Sequence, residues 1–451
     1  MRLWVHQLRL GSTPRDKIRL VTFFNLALNP YFAMGIVCVQ CAFFDFLMPA
    51  FSPTPSQASI PLGWLILLGL LTAMGPLAVD MYLPAFSSIA ISLNTDPSAV
   101  ERTLASYLLG IGVAQLLYGP VADRFGRKIP LMVGLCLFIV ASIACASSQD
   151  IHHLTLWRVV QAFGGAAGMA IPRAIIRDHY DTQDAARALS LLMLIMGATP
   201  ILAPTLGAQL LRFTSWQTLF FIMAGAGCLL LLATLRFLQE SLAPSARQPL
   251  HLRHVGRNYV ELFQSRSFLC FSLAGAFGSA GMFAYISGSA RVFVGHFNIS
   301  PAWFGALFGL NAAALIIASQ VGARLLGRYT PLQLMLWAQH AQVGFALIGL
   351  ALSLSSGLNL TLLMLCLMGF MATQGFINPN SAALALSEQG RRLGIASALL
   401  GALQMLFGAL AGFAVSAWAN STALPLTTAL AVCAVASWFS GRIASKNLRK
   451  A

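Results

Sequence analysis

Two ionisable residues, Asp80 and Arg158, lie inside long apolar stretches of a 451-residue chain. An ionised side chain at the centre of a membrane helix costs about 2.5 to 3.5 kcal/mol, so each of the two predicts a functional role. With a rise of 1.5 Å per residue, Asp80 and Arg158 lie roughly 12 and 9 Å from the ends of their stretches, on the same side. We therefore expect the two side chains at similar depth in a bilayer.

A carboxyl group in apolar surroundings can take up and release a proton under the control of a nearby guanidinium, because desolvation favours its neutral form and a cation favours its ionised form. We therefore expect Asp80 and Arg158 to carry proton coupling. Two alternatives stay open: a static ion pair between the two residues, and Asp80 acting only as a hydrogen-bonding group at a helix end before Pro84.

Asp80 and Arg158 are predicted to lie on membrane helices. The chain is 58% hydrophobic and 9% charged, whereas soluble domains carry roughly a quarter charged residues. Its apolar runs are continuous rather than alternating, and each is near the roughly 20 residues that a membrane helix needs. The sequence predicts an all-α polytopic membrane protein of twelve transmembrane helices. The runs begin near Gly63, Val100, Ile129, Leu154, Ala186, Trp216, Phe268, Trp303, Leu332, Leu358, Gly394 and Ala423.

Positive charges predict the orientation of these helices. Most of the 28 Lys and Arg residues fall in one alternate set of loops, and only Arg102, Arg212 and Arg291 fall in the opposite set. Because basic loops face the cytoplasm, both ends of the twelve-helix core are predicted to be cytoplasmic, in a bacterial inner membrane. The net charge of +15 then reflects topology, and no nucleic-acid partner is expected.

Polar interruptions and a faint internal repeat predict the domain boundaries. We expect six-helix bundles at 62–238 and 268–441, a cytoplasmic linker at 239–267 and a basic cytoplasmic tail at 442–451. Residues 126–131 have an echo at 327–332, as in transporters with duplicated halves. Residues 1–61 are predicted to be an N-terminal extension, either interfacial or upstream of a working start at Met48, because a span there would place five basic residues outside.

The fifth apolar run contains two prolines four residues apart, flanked by glycines. Proline removes a helical hydrogen bond and favours a bend, so this run is a candidate hinge, with close packing of small residues as the alternative. The hinge residues are Gly197, Pro200, Pro204 and Gly207.

Polar residues in other runs are candidates for a substrate cavity between the halves, although each alone is more often an interhelical hydrogen bond. These candidates are Tyr82, Tyr107, Gln115, Gln161, Asn311, Gln374 and Asn378. The sequence has no phosphate-binding Gly-rich loop and no metal-spaced cluster. We therefore expect no enzyme activity, no catalytic residue, no cofactor and no metal.

Three segments carry a resemblance to a known family. Residues 119–128, Gly-Pro-Val-Ala-Asp-Arg-Phe-Gly-Arg-Lys, are similar to the loop signature of the major facilitator superfamily, between its second and third helices. Residues 80–85 and the pattern Arg158-x-x-Gln161-x-x-Gly164 resemble the drug:proton antiporter branch, most closely its bicyclomycin and chloramphenicol resistance subfamily. The resemblance covers about 62–440 and includes the linker at 247–250 and the seventh helix at 280–285.

This resemblance implies two pseudo-symmetric six-helix bundles that alternate access by rocking, with protons entering as substrate leaves. It links Arg158 to proton transfer. Ala203 departs from the glycine that usually precedes the second proline of the antiporter motif. The basic loop is implied to be a conformational latch, with topological anchoring as the alternative for its basic residues. The latch residues are Gly119, Asp123, Arg124, Gly126, Arg127 and Lys128.

Together these observations predict a proton-coupled multidrug-type efflux antiporter that exports small amphipathic compounds, bicyclomycin-like or chloramphenicol-like, and is driven by the proton gradient. The expected partners are the small-molecule substrate, protons and the lipid bilayer, and the protein is expected to work as a monomer. The main alternative is a major facilitator transporter of a natural metabolite, such as a sugar, nucleoside or peptide. A non-transporting membrane sensor and a channel are further alternatives.

Overall fold

The structure is a computed structural model that describes residues 62–448, apart from 181, 248–251, 356–357, 390–392, 419 and 421. The N-terminal extension lies outside the described residues, so the interfacial and Met48 hypotheses stay predictions. Throughout the described part the chain is helical, with no strand.

Twelve long helices follow one another along the described residues. The first, α1, spans Leu62–Ser92 as two segments, Leu62–Asp80 and Phe86–Ser92, joined by a 3-10 turn at Leu83–Ala85. The next five are α2 (Pro97–Phe125), α3 (Lys128–Ala146), α4 (Ile151–His179), α5 (Thr182–Leu210) and α6 (Trp216–Phe237). A short linker helix, Leu252–Gln264, separates α6 from α7.

The second half begins with α7 (Arg266–Ala290), which continues as a π-helical turn at Arg291–His296. It is followed by α8 (Pro301–Leu325), α9 (Pro331–Leu354), α10 (Leu360–Leu386), α11 (Leu393–Ala417) and α12 (Leu424–Leu448). Eleven helices of the described part are long and apolar enough to cross a membrane. The twelfth, α5, has 29 residues, which exceeds the roughly 20 that a span needs.

Caps fix several helix starts at the ends of apolar runs. Asp96 accepts a hydrogen bond from the Ser98 amide at 2.7 Å, and Pro97 occupies the first turn of α2. Asp150 accepts from the amides of His152 and His153 at the start of α4. These side chains satisfy amide groups that have no partner within the helix.

The helices form two bundles, α1–α6 and α7–α12, which confirms the fold class predicted from the sequence. Within the first bundle α4 packs against α1, α2 and α3, and within the second α7 packs against α10, α11 and α12. The bundles meet where α2 packs against α11 and α5 against α8. Glycine permits this close approach: a Cβ on Gly112 would lie 2.9 Å from Leu406, and one on Gly305 would lie 3.1 Å from the Thr205 backbone. We call the two ends of the assembly the Glu101 end and the Asp123 end, after residues near the two ends of α2.

Candidate functional site

Asp80 lies at a break in α1, inside the first bundle. It is the last residue of the segment Leu62–Asp80 and is 3% exposed. The break follows from Pro84, which sits in the first turn of a 3-10 segment and cannot donate a backbone hydrogen bond. The last carbonyl groups of a helix have no intrahelical partner, so the α1 backbone near Asp80 offers free acceptors.

Arg158 on α4 uses one of these acceptors. Its guanidinium donates to the Ala78 carbonyl of α1 at 3.1 Å and to the Gln161 side-chain oxygen at 2.6 Å. Gln161 in turn donates to the Ser142 hydroxyl on α3 at 2.7 Å. Arg158 is fully buried, so this chain of hydrogen bonds holds a positive charge in the interior of the first bundle.

Two tyrosine rings enclose the same guanidinium. The centre of the guanidinium lies 4.5 Å from the Tyr82 ring centroid and 4.1 Å from that of Tyr107, which are cation–π distances. The Tyr82 hydroxyl is 2.7 Å from the Thr103 hydroxyl, and Tyr107 donates to the Gly75 carbonyl at 3.2 Å. Tyr82, Tyr107 and Gln161, which are candidates for the substrate cavity, are fully buried around Arg158 in this state. Their role in a cavity stays a prediction.

Asp80 and Arg158 do not form an ion pair in this structure. Arg158 contacts Ala78 and Tyr82, which lie two residues before and two residues after Asp80. No described residue forms a salt bridge or hydrogen bond with the Asp80 carboxyl. The static pair considered from the sequence is therefore not formed in this state.

A second charged cluster lies at the Asp123 end, in the loop between α2 and α3. Arg127 pairs with Asp123 at 2.6 Å and with Asp178 of α4 at 2.8 Å. Burial alone would lower the pKa of Arg127, but the hydrogen-bonded carboxylates of Asp178 and Asp123 raise it above its usual value. All three residues belong to the first bundle, so this cluster ties α2 to α4.

The remaining latch residues differ in their surroundings. Gly126 has a φ of +88°, a conformation that favours glycine. Lys128 donates to the Leu235 carbonyl of α6 at 3.2 Å, whereas Arg124 is exposed. A Cβ on Gly119 would meet no atom within 4 Å, so packing in this state gives no reason for glycine there.

Glu240, just after α6, completes this cluster and was not singled out from the sequence. Its carboxylate accepts from the amides of Arg127 at 2.8 Å, Leu242 at 3.0 Å and Lys128 at 3.1 Å. Burial alone would raise the pKa of Glu240, but these amide donors hold it below its usual value. Ser241 donates to Asp178 at 2.9 Å. The chain contains only 13 Asp and Glu residues, and this scarcity is the sequence feature that could have marked Glu240 as a candidate.

The predicted hinge residues lie in a continuous helix, α5, which contains both Pro200 and Pro204. A Cβ on Gly207 would lie 2.6 Å from the Met81 carbonyl of α1, so this glycine allows close packing beside Asp80. Gly197 has more room, because a Cβ there would lie 3.7 Å from the Ile316 side chain of α8. Close packing therefore accounts for Gly207, and the hinge motion stays a prediction.

The other cavity candidates form hydrogen bonds or contacts between helices. Asn311 donates to the Tyr285 hydroxyl at 3.1 Å, and its side-chain oxygen is buried without a described partner. Gln374 accepts from Gln342 at 3.3 Å, and Asn378 accepts from Gln404 at 2.7 Å. Gln115 packs against α11 across the bundle interface, where a Cβ on Gly401 would lie 2.6 Å from its side-chain oxygen.

A further ion pair, which the sequence reasoning missed, joins the two bundles at the Glu101 end. Arg291, at the start of the π-helical turn after α7, donates to Glu101 of α2 at 2.5 Å. Glu101 is 1% exposed. In the sequence Arg291 is recognisable only as a charge in a loop. Its contact with Glu101 could not be predicted, because the two residues are 190 positions apart.

Twelve helices in two bundles with this loop cluster define a transporter of the major facilitator class. Residues 68–412 match the sequence profile of the Major Facilitator Superfamily, so the chain belongs to that family. The family's members are transporters, and the expectation that this chain is a transporter rather than an enzyme is confirmed.

Within this family, the chain is similar to several bacterial transporters and resistance proteins. The chain is 35% identical to the uncharacterized MFS-type transporter YdgK of Bacillus subtilis, over 82% of this chain and 92% of the relative. It is 28% identical to the bicyclomycin resistance protein homolog of Haemophilus influenzae, over 83% and 94%. It is also 28% identical to multidrug resistance protein D of Escherichia coli, over 75% and 85%. The subfamily resemblance predicted from the sequence is thereby confirmed.

Among solved structures, the D-xylose–proton symporter matches with a TM-score of 0.66 at 15% identity, covering 83% of this chain and 96% of its own. A bacterial homolog of the human lysosomal transporter Spinster, inward-facing and unoccupied, matches with a TM-score of 0.64 at 16% identity, covering 86% and 99%. These likenesses show the major facilitator fold.

Proposed function

We propose that this protein is a proton-coupled multidrug-type efflux antiporter, which exports small amphipathic compounds by alternating access of the bundles at 62–238 and 268–441. It acts as a monomer in the bacterial inner membrane, driven by the proton gradient alone. Both ends of the twelve-helix core, including the linker at 239–267 and the tail at 442–451, face the cytoplasm. The resistance proteins among its relatives support the substrate class, and the loop charges support the orientation.

The observation that carries the proposal is the state of Asp80. It is a buried carboxyl with no described ion-pair or hydrogen-bond partner, at the helix break where the Ala78 carbonyl accepts a hydrogen bond from Arg158. A structural carboxylate at this depth would be paired, because an uncompensated buried charge is costly. A carboxyl that must gain and lose a proton during a cycle needs the freedom that Asp80 has.

Arg158 supports this role by its fixed position. Neutral partners hold its guanidinium, so its charge is not cancelled by a permanent counter-ion and can act on Asp80 when the proton leaves. In the same scheme the Asp123 cluster is the conformational latch and the Gly/Pro run of α5 is the hinge. The polar residues that substrate reaches when the bundles separate are Tyr82, Tyr107, Gln115, Gln161, Asn311, Gln374 and Asn378.

The test is export of a panel of antibiotics, including bicyclomycin and chloramphenicol, from cells that express the protein, with and without a protonophore. Asp80→Asn removes the ionisable group with little change in shape, and Glu388→Gln, at an exposed loop carboxylate, is the matched control. We expect export to be lost with Asp80→Asn and with the protonophore, and retained with Glu388→Gln. Export that neither treatment affects would overturn proton coupling, and absence of export for every drug would favour the metabolite transporter.

A further inference from the structure

The Glu101–Arg291 salt bridge joins the two bundles from α2 to the end of α7. Only 2% of the Glu101 side chain and 17% of the Arg291 side chain are exposed. The pair therefore differs from the exposed ion pairs of the surface, which contribute little. Near it, the 3-10 turn of α1 packs against α7 and α8, so the Glu101 end is closed by contacts between the bundles.

Few charged residues lie near Glu101. Asp96 and Arg102 on the α2 side and Arg291 on α7 are the charges that act on it. Of the elements that pack against α2, α11 and the segment Phe86–Ser92 of α1 contain no charged residue. Helix α4 carries Arg158, and His152 and His153 lie in its first turn after Asp150, but the charges that act on Glu101 do not include these. Arg291 is therefore the partner that holds the Glu101 carboxylate in this buried position.

Opening of the Glu101 end requires α2 and α7 to move apart, and this separates Glu101 from Arg291. Separating two buried charges is strongly unfavourable, because each is left without its partner in a poor solvent. A proton on Glu101 removes the negative charge and the charge-assisted hydrogen bond, which lowers that cost. Separation of the bundles at this end thereby becomes dependent on protonation.

The backbone on the α7 side is suited to movement. Arg291 is the first residue of the π-helical turn Arg291–His296. Such turns are rare and mark functional positions in helices more often than ordinary turns do. A change in this turn would move Arg291 without disturbing the body of α7.

We propose that Glu101 is a second proton-binding carboxyl of the transport cycle. As an anion it binds Arg291 and keeps the Glu101 end closed, and when it accepts a proton from water at that end it releases Arg291 and lets the bundles part. This inference rests on the proposed function, since it assigns the entry of the coupling proton to a residue other than Asp80.

The experiment is hydrogen–deuterium exchange of the full chain in lipid nanodiscs at pH 5.5 and pH 8, corrected for the chemical exchange rate. It needs neither substrate nor gradient. The reporters are peptides from the first turns of α2 and from the turn Arg291–His296, and peptides from α9 report any general unfolding. The variants are Glu101→Gln, which mimics the protonated carboxyl, and Arg212→Gln, at an exposed arginine after α5, as the matched control.

We expect the reporter peptides of the wild type to exchange about tenfold faster at pH 5.5 than at pH 8, equivalent to about 1.4 kcal/mol in the opening equilibrium. Glu101→Gln should exchange fast at both pH values, and Arg212→Gln should behave as the wild type. The double variant Glu101→Arg with Arg291→Glu restores the pair and should restore slow exchange at pH 8. Slow, still pH-dependent exchange in Glu101→Gln would overturn the proposal. Failure of drug export in cells with this exchange pattern intact would overturn the proposed function instead.

Discussion

Two buried arginines of the first bundle are held in opposite ways. Arg127, 8% exposed, pairs with the carboxylates of Asp123 and Asp178. Arg158, fully buried, is held by an amide oxygen, a backbone carbonyl and two tyrosine rings, and no described carboxylate pairs with it.

The two arginines therefore differ in whether a carboxylate neutralises the guanidinium charge. A guanidinium with two carboxylates is neutralised and serves to join the segments that carry them. A guanidinium held by neutral groups keeps its full charge, and that charge acts on the nearest ionisable group as it changes state. We therefore expect changes at Arg158 to affect transport without a comparable loss of stability, and changes at Arg127 to lower stability as well as to weaken the proposed latch.

The largest expected effect is that of Arg158→Lys. A lysine ammonium keeps the charge, but it lacks the planar fork that reaches Gln161 and the Ala78 carbonyl together, so drug export should fall at least about tenfold. Export from intact cells is the measurement, with Arg102→Lys, at an exposed arginine, as the control. Export at the wild-type level by Arg158→Lys would show that a positive charge alone suffices at this position, and would contradict a role for the guanidinium hydrogen bonds.

Removal of Arg127 should act on stability. Arg127→Ala leaves the 19%-exposed Asp178 side chain without its cation, which should destabilise the protein by roughly 1 to 3 kcal/mol, with solvent screening at Asp123 reducing the loss. Thermal melting of the purified protein in detergent should show a lower midpoint, and Arg124→Ala, at an exposed residue in the last turn of α2, should not. Equal midpoints for the two variants would contradict the structural role of Arg127.

The smallest expected effect is at Glu240, and it depends on pH. Because amide donors lower the pKa of Glu240 in the folded protein, the stabilisation is present above the unfolded value of about 4.3 and is lost as pH falls through the lower folded value. Glu240→Gln should cost about 0.5 to 1 kcal/mol at pH 7, since water still reaches the carboxylate. Melting at pH 7 and pH 4 should show a smaller difference from wild type at pH 4. A constant difference would mean that the carboxylate charge is not involved.

Most of the helical framework could be predicted from hydropathy, because a membrane span must be apolar over its whole length. The largest difference in a predicted start is at α5, expected near Ala186 and found at Thr182. Helices continue past the apolar run into polar residues, since caps and prolines rather than the bilayer surface end them. Hydropathy therefore locates spans better than it locates helix ends.

The site could be predicted only in part. Counting residues gives the depth of Asp80 and Arg158 but not the direction each side chain faces around its helix, so the sequence could not decide whether they pair. The partners of Arg127 are equally hidden, since Asp178 is 51 and Glu240 is 113 residues away. Contacts of this kind depend on how the helices pack, which a single sequence does not display.

The most direct test of the account is proton movement in proteoliposomes that contain the purified protein, followed with a pH-sensitive dye while an exported drug flows down its own gradient. We expect drug flow to drive protons the opposite way in the wild type and in Glu388→Gln, and Asp80→Asn to abolish this proton movement. Drug export by the wild type without proton movement, or unchanged proton movement in Asp80→Asn, would contradict this expectation.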